Sequence, residues 1–192
     1  MEVREFDEIL TRRSEAKLSR LISWFTKNRE TRRNDSYLFT HTARLIKKRG
    51  RLCVSEMQAD GVQGDIPWDD YKQITSGQVW RITEEPISKS QEVRKWMIEQ
   101  EGQKKYGYGR LFGVSPRLAL IGKLSPKLET RVAEMLHGHI DRRTGDVCSD
   151  WNNIIRIMLY NIGSDKHITP AQTHMAFKEW QKDELAIKVG EF

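Results

Sequence analysis

The chain has 192 residues, 38% of them hydrophobic and 31% charged, with a net charge of +6. That length can bury a sizeable core within one domain, and no apolar run approaches the roughly 20 residues that a membrane-spanning helix needs. Two cysteines, Cys53 and Cys148, exclude a disulfide framework, and neither sits in a CxxC pair of zinc or redox type.

The first residues, MEVREFDEILTRR, lack the layout of a secretory signal, so the expected location is cytoplasmic or virion-associated. After a short apolar stretch around Ile9 and Leu10, Ser14 is placed to cap a helix with Leu18, Leu21, Ile22 and Phe25 along one face. The segment Thr26–Asp35 is polar and charged and reads as an exposed loop. Tyr37–Ile46 and Leu52–Met57 read as two strands joined by the turn Lys48-Arg49-Gly50. Asp60-Gly61 is a second turn, and Pro67–Tyr71 a short helical turn with proline at its first position, before a third strand at Gln78–Ile82.

A helix capped by Ser88 or Ser90 follows, with Val93, Trp96 and Met97 on its apolar face, and Gly102 stops it. Tyr106–Gly109 is a glycine-rich aromatic loop, Pro126–His137 a helix and Arg142–Asp146 a polar loop. Trp151, Ile154, Ile155, Met158 and Ile162 recur at i, i+3, i+4, i+7, with Gly163 at the expected C-terminal cap. Thr169-Pro170 opens a last helix, and Leu185–Val189 reads as a terminal strand. Without repeat or linker, residues 1–192 read as one α+β domain.

Cys148 stands just before the strongest helical pattern. A thiol there faces the positive end of a helix dipole and unpaired backbone N–H groups, which favour a thiolate and can bind an oxyanion; the alternative is a buried small apolar residue. Cys53, inside an apolar strand, reads as packing. His41 and Glu56 are polar residues in the middle of the two hairpin strands. If the strands pair around Arg49-Gly50, positions whose numbers sum to about 97 or 99 lie opposite, which puts His41 level with Glu56 or within two residues of it. Thiol, imidazole and carboxylate are the three groups that nucleophilic thiol catalysis requires. His137-Gly138-His139 does not share a helical face and has no completing ligand pattern, so no metal is expected, and no cofactor. His167 and His174 read as surface or capping residues.

The order of these motifs resembles the permuted papain-fold hydrolases of the YiiX/YaeF type, relatives of the NlpC cell-wall peptidases and of lecithin:retinol acyltransferase-like enzymes. The residues that carry it are Leu21-Ile22-Ser23-Trp24-Phe25-Thr26, Thr40-His41, Val54-Ser55-Glu56 with Gly61-Val62, and Cys148-Ser149-Asp150-Trp151, with Thr169-Pro170 downstream. Thr40 stands where the family usually has Ser, Asp150-Trp151 where it has Glu-Leu, and the basic segment between Asn28 and Ser36 is longer than the pattern. The resemblance implies a circularly permuted papain-like (NlpC-like) fold, an antiparallel sheet packed with helices. It also implies a Cys148–His41–Glu56 triad acting on a peptide-like amide or another acyl substrate. Ser149 would help bind substrate through its backbone. Tyr106 or Tyr108 would reach the pocket, although both are equally read as packing under their loop.

Two other readings stand beside this one. A binding or virion structural module would keep the fold without turnover. A nucleic-acid-binding protein would use the basic residues, but Arg12–Arg13, Arg32–Arg33, Lys47–Arg51 and Arg142–Arg143 are scattered short clusters, the pattern of a solvated surface.

Overall fold

The computed structural model describes residues 1–12, 17–58, 60–86, 90–103, 148–163 and 169–192. Strand β1 (Glu8–Arg12) is followed by helices α1 (Lys17–Thr26) and α2 (Arg29–Arg33), a 3-10 turn (Ser36–Leu38), strands β2 (Phe39–Lys48), β3 (Arg51–Gln58) and β4 (Gly61–Pro67), helix α3 (Trp68–Ile74), strand β5 (Gly77–Ile82), helices α4 (Ser90–Glu99), α5 (Cys148–Tyr160) and α6 (Pro170–Lys182), and strand β6 (Ala186–Glu191). The strands form one sheet in the order β4-β3-β2-β1-β5-β6, every neighbouring pair antiparallel. The architecture is α+β.

The period-two alternation of the strands divides the core between the two faces of this sheet. Ile9, Ala43, Leu45, Val54 and Val79 pack with Trp68 and Tyr71 of α3. On the other face Leu10, Ile46, Cys53 and Trp80 meet Val93 and Met97 of α4, Trp151, Ile155 and Leu159 of α5, and Phe177 of α6. The β2–β3 hairpin turns through Arg49 and Gly50, at φ 48° and 79°, the two left-handed residues of a tight type I′ loop. That loop sets the register Lys48↔Arg51 through Ala43↔Glu56.

Three expectations are corrected. Thr26–Asp35 is not all loop. Asn28 accepts from the backbone N–H groups of Glu30 and Thr31 while Thr31 caps back, so Arg29–Arg33 becomes a short helix. Gly61–Pro67 is a strand, hidden in the sequence because its glycines and Asp65 interrupt the β-forming residues. Helix α5 ends on Asn161, which takes the left-handed position at φ 54°, a role Asn tolerates. Gly163 is needed for space instead: a Cβ there would lie 2.5 Å from the Ile157 side chain.

Thr169-Pro170 opens α6 as expected, and Thr169 and Gln172 form a reciprocal capping box there. In α1, Ile22 is buried and Trp24 is 52% exposed, while Ser14 and the side chains of Leu18 and Phe25 lie outside the described residues. Also outside are Ser88, Tyr106–Gly109, Pro126–His137, His139, Arg142–Asp146 and His167.

Beneath α5 lies a buried charge cluster. Arg44 on β2 donates to Glu8 on β1 at 2.5 Å, and Arg156 on α5 approaches the same carboxylate oxygen at 3.3 Å. Both guanidinium groups are 1% exposed. Removing Glu8 would leave two buried guanidinium groups with no carboxylate between them, a strongly destabilising change.

Candidate active site

The β2–β3 ladder stops at Ala43↔Glu56, although β2 extends back to Phe39 and β3 on to Gln58. The two strands therefore part at this end, and His41, two residues beyond the last pair with β3, stands on the stretch of β2 that pairs with β1 alone, opposite Thr11. On the same face as Glu56, it is the diagonal neighbour that an aromatic side chain can reach. The His41 Nε2–Glu56 Oε2 distance is 2.8 Å.

Cys148 is the first described residue of α5, and that helix packs against β2 and β3. The His41 ring and the Thr42 backbone lie near enough to its thiol to favour the thiolate. With Nε2 on Glu56, the remaining ring nitrogen, Nδ1, is the one free to face the sulfur. Cys148 is 2% exposed, Glu56 3% and His41 25% by side chain, so the imidazole is the part of the line most open to solvent. The described residues bring Cys148, His41 and Glu56 together in one line, with Glu56 hydrogen-bonded to the ring and Cys148 beside it.

Their protonation follows from that line. Burial opposes a charged His41, but the sulfur of Cys148 and the carboxylate of Glu56 outweigh it and raise its pKa well above the usual histidine value. Burial also opposes the Cys148 thiolate, yet the His41 charge, its hydrogen bond and the Thr42 backbone lower the thiol below its ordinary range. The pair titrates as a unit, with thiolate and imidazolium favouring one another. Glu56 is likewise lowered against its burial, by His41, Gln58 and Tyr71 in turn.

Tyr71 and Gln58 were not read from the sequence. Tyr71 on α3 donates its hydroxyl to Glu56 Oε2 at 3.0 Å, and Gln58 donates from Nε2 to Oε1. The carboxylate is thus gripped on both oxygens, which leaves it no freedom to turn from the imidazole. Burial, with Glu56 beside it, raises the Tyr71 pKa well above the usual tyrosine value, so it stays a donor. No local pattern marks either residue. Gln58 alternates with Glu56 on one face of β3, and that spacing is the one hint.

Ser149 is fully buried behind Cys148. Tyr106 and Tyr108, the other residues expected to bind substrate, lie outside the described residues. Cys53 is buried in the core on β3, as its apolar surroundings imply.

His174 is a correction. It is no surface residue but 1% exposed, with Nδ1 2.8 Å from Ser36 Oγ and Nε2 3.1 Å from Gln78 Oε1, stacked 4.2 Å from Phe39. The apolar face of α6 carries it inward, and Ser36 is as buried as it is.

No family model matches the sequence, and no curated protein matches it. No described helix is long and apolar enough to cross a membrane.

Proposed function

We propose that the chain is a cysteine hydrolase of the permuted papain-like, NlpC-like kind, cleaving a peptide-like amide bond such as that of a cell-wall stem peptide. The observation that carries this reading is the line of Cys148, His41 and Glu56, in which Glu56 is hydrogen-bonded to the ring and thiolate and imidazolium favour one another. Chain order supports the permutation: the strands bearing the histidine and the carboxylate precede the helix bearing the cysteine, and that helix packs on the sheet.

In the resting enzyme His41 already holds the thiol proton. The thiolate attacks the carbonyl carbon, a C–S bond forms, and the oxyanion is held by backbone N–H groups of Cys148 and Ser149, each well-aimed donor contributing about 3 kcal/mol. The C–N bond breaks as His41 passes its proton to the leaving amine. Water then attacks the thioester, gives a proton to His41 and releases the acid, restoring the ion pair. Glu56 keeps the ring in place and offsets its charge throughout.

The second reading, a binding or virion structural module of the same fold, draws on the 2% exposure of Cys148, which a protein without turnover would tolerate. Intact-protein mass spectrometry separates the two. After exposure to a cell-wall digest and a lipid-ester pool, the hydrolase carries a transient acyl adduct that maps to Cys148 and not Cys53. Absence of any adduct from both pools moves the assignment to the binding module.

A further inference from the structure

The carbonyl of Cys148 is gripped from two sides. Thr42 Oγ1 donates to it at 2.8 Å and Asn152 Nδ2 at 3.1 Å. The same Asn152 amide also donates to Thr42 Oγ1 at 3.1 Å, so the hydroxyl is an acceptor on one side and a donor on the other. Asn152 Oδ1 accepts from Arg44 Nε at 3.2 Å. Because a guanidinium can only donate, Arg44 fixes which way the amide points. Arg44 is itself held by Glu8 at 2.5 Å and by the Phe6 carbonyl at 2.9 Å. Thr42 and Asn152 have no exposed surface and Arg44 has 1%.

We infer that Thr42 and Asn152, oriented by Arg44, are positioning residues that hold the Cys148 sulfur against His41. The inference rests on the hydrolase reading. Thr42 neighbours His41 on β2, so one strand presents both the imidazole and the hydroxyl that pins the carbonyl of the cysteine. Asn152 lies one turn along α5 from Cys148 and ties that turn to the strand. A helix end fastened in this way cannot slide along β2, and the sulfur-to-imidazole distance on which the ion pair depends is set by side chains that touch neither sulfur nor substrate.

The three residues also separate stability from positioning. Glu8 faces two buried guanidinium groups, Arg44 and Arg156, so a second carboxylate beside Arg44 meets an excess of positive charge. Asn152→Asp retains the acceptor for Arg44 and adds that charge, but loses both donors, one to the Cys148 carbonyl and one to Thr42.

The test is the pH titration of the thiolate ultraviolet absorbance, each variant read against its own Cys148→Ala counterpart, with melting temperatures alongside. Thr42→Val, which keeps the backbone N–H, is expected to raise the Cys148 midpoint by roughly one pH unit, a tenfold loss of thiolate near neutrality. Thr42→Ser restores the wild-type midpoint. Asn152→Asp raises the midpoint while its melting temperature stays at or above that of wild type. The double variant shifts by less than the sum of the two, because both act through one carbonyl.

Folded Thr42→Val and Asn152→Asp proteins with the wild-type midpoint would overturn the inference and leave the hydrolase reading standing. A strictly additive double variant would also overturn it, by assigning the effect of Asn152→Asp to through-space charge. Should Thr42→Val not fold, Asn152→Asp and Thr42→Ser decide. A wild-type midpoint already at the free-thiol value would overturn the hydrolase reading and this inference together.

Discussion

His41 and His174 are both hydrogen-bonded inside the fold, yet they are driven in opposite directions. His41 lies between a thiol and a carboxylate, partners that gain from a positive ring, and its pKa rises. His174 lies between a hydroxyl and a carboxamide, which are neutral. Burial, then the cations Lys178, Arg12 and Lys188, bring it down to about 4, against the opposing charge of Glu191. Hydrogen bonding alone therefore says little about what a histidine does. The charge carried by its partners decides whether it is poised for proton transfer or locked neutral as a strut between α6, β5 and the Ser36 turn.

The comparison is broken most severely at the His41 end. Cys148→Ala and His41→Ala are each expected to reduce turnover by about 10⁴-fold or more, while Glu56→Gln retains weak activity, since it keeps a hydrogen bond to the ring but not the charge. Steady-state kinetics on the substrate that leaves the Cys148 adduct gives the order. Equal losses in all three would deny Glu56 a merely orienting role.

The His174 end is broken by acid. The folded-state value of about 4 lies below the ordinary 6.5, so as pH falls the unfolded chain takes the proton first. The His174 contribution is complete above pH ~6.5, declines through that value towards ~4, and totals about 3 kcal/mol. Urea unfolding across this range should show a decline that His174→Gln flattens. An unchanged slope in that variant would assign the acid sensitivity elsewhere. The smallest effect is expected from Tyr71→Phe. Glu56 keeps His41 and Gln58, so the loss is about 1 kcal/mol of stability and roughly tenfold or less in rate. A loss as large as that of Glu56→Gln would make Tyr71 an equal partner in the site.

The outline of this site was legible in the sequence because it depends on local rules. The Arg49-Gly50 turn sets the hairpin register, which brings His41 within two residues of Glu56, and the apolar spacing after Cys148 marks a helix. What was hidden depends on convergence between distant elements. Tyr71 reaches Glu56 from α3, Asn152 reaches Thr42 from α5, and His174 reaches Ser36 across the fold, and none of these pairs leaves a spacing in the chain. The apolar stripe of α5 is carried by Trp151, Ile154, Ile155 and Met158, yet Asn152 and Arg156 are among the most buried residues of that helix. Periodicity finds a buried face only where that face is greasy. Strand β4 was missed for a related reason: Gly61, Gly64 and Asp65 suppress the β signal, and its pairing with β3 supplies the order that its own residues do not.

The central claim is that Cys148 rests as a thiolate because His41 is charged beside it. Titrating the thiolate ultraviolet absorbance of wild type against Cys148→Ala tests this without a substrate and without access of a reagent to the buried sulfur. The account predicts a midpoint well below the ~8.5 of a free thiol, moved up to or beyond that value in His41→Ala. A wild-type midpoint at or above ~8.5, unchanged by His41→Ala, would contradict it.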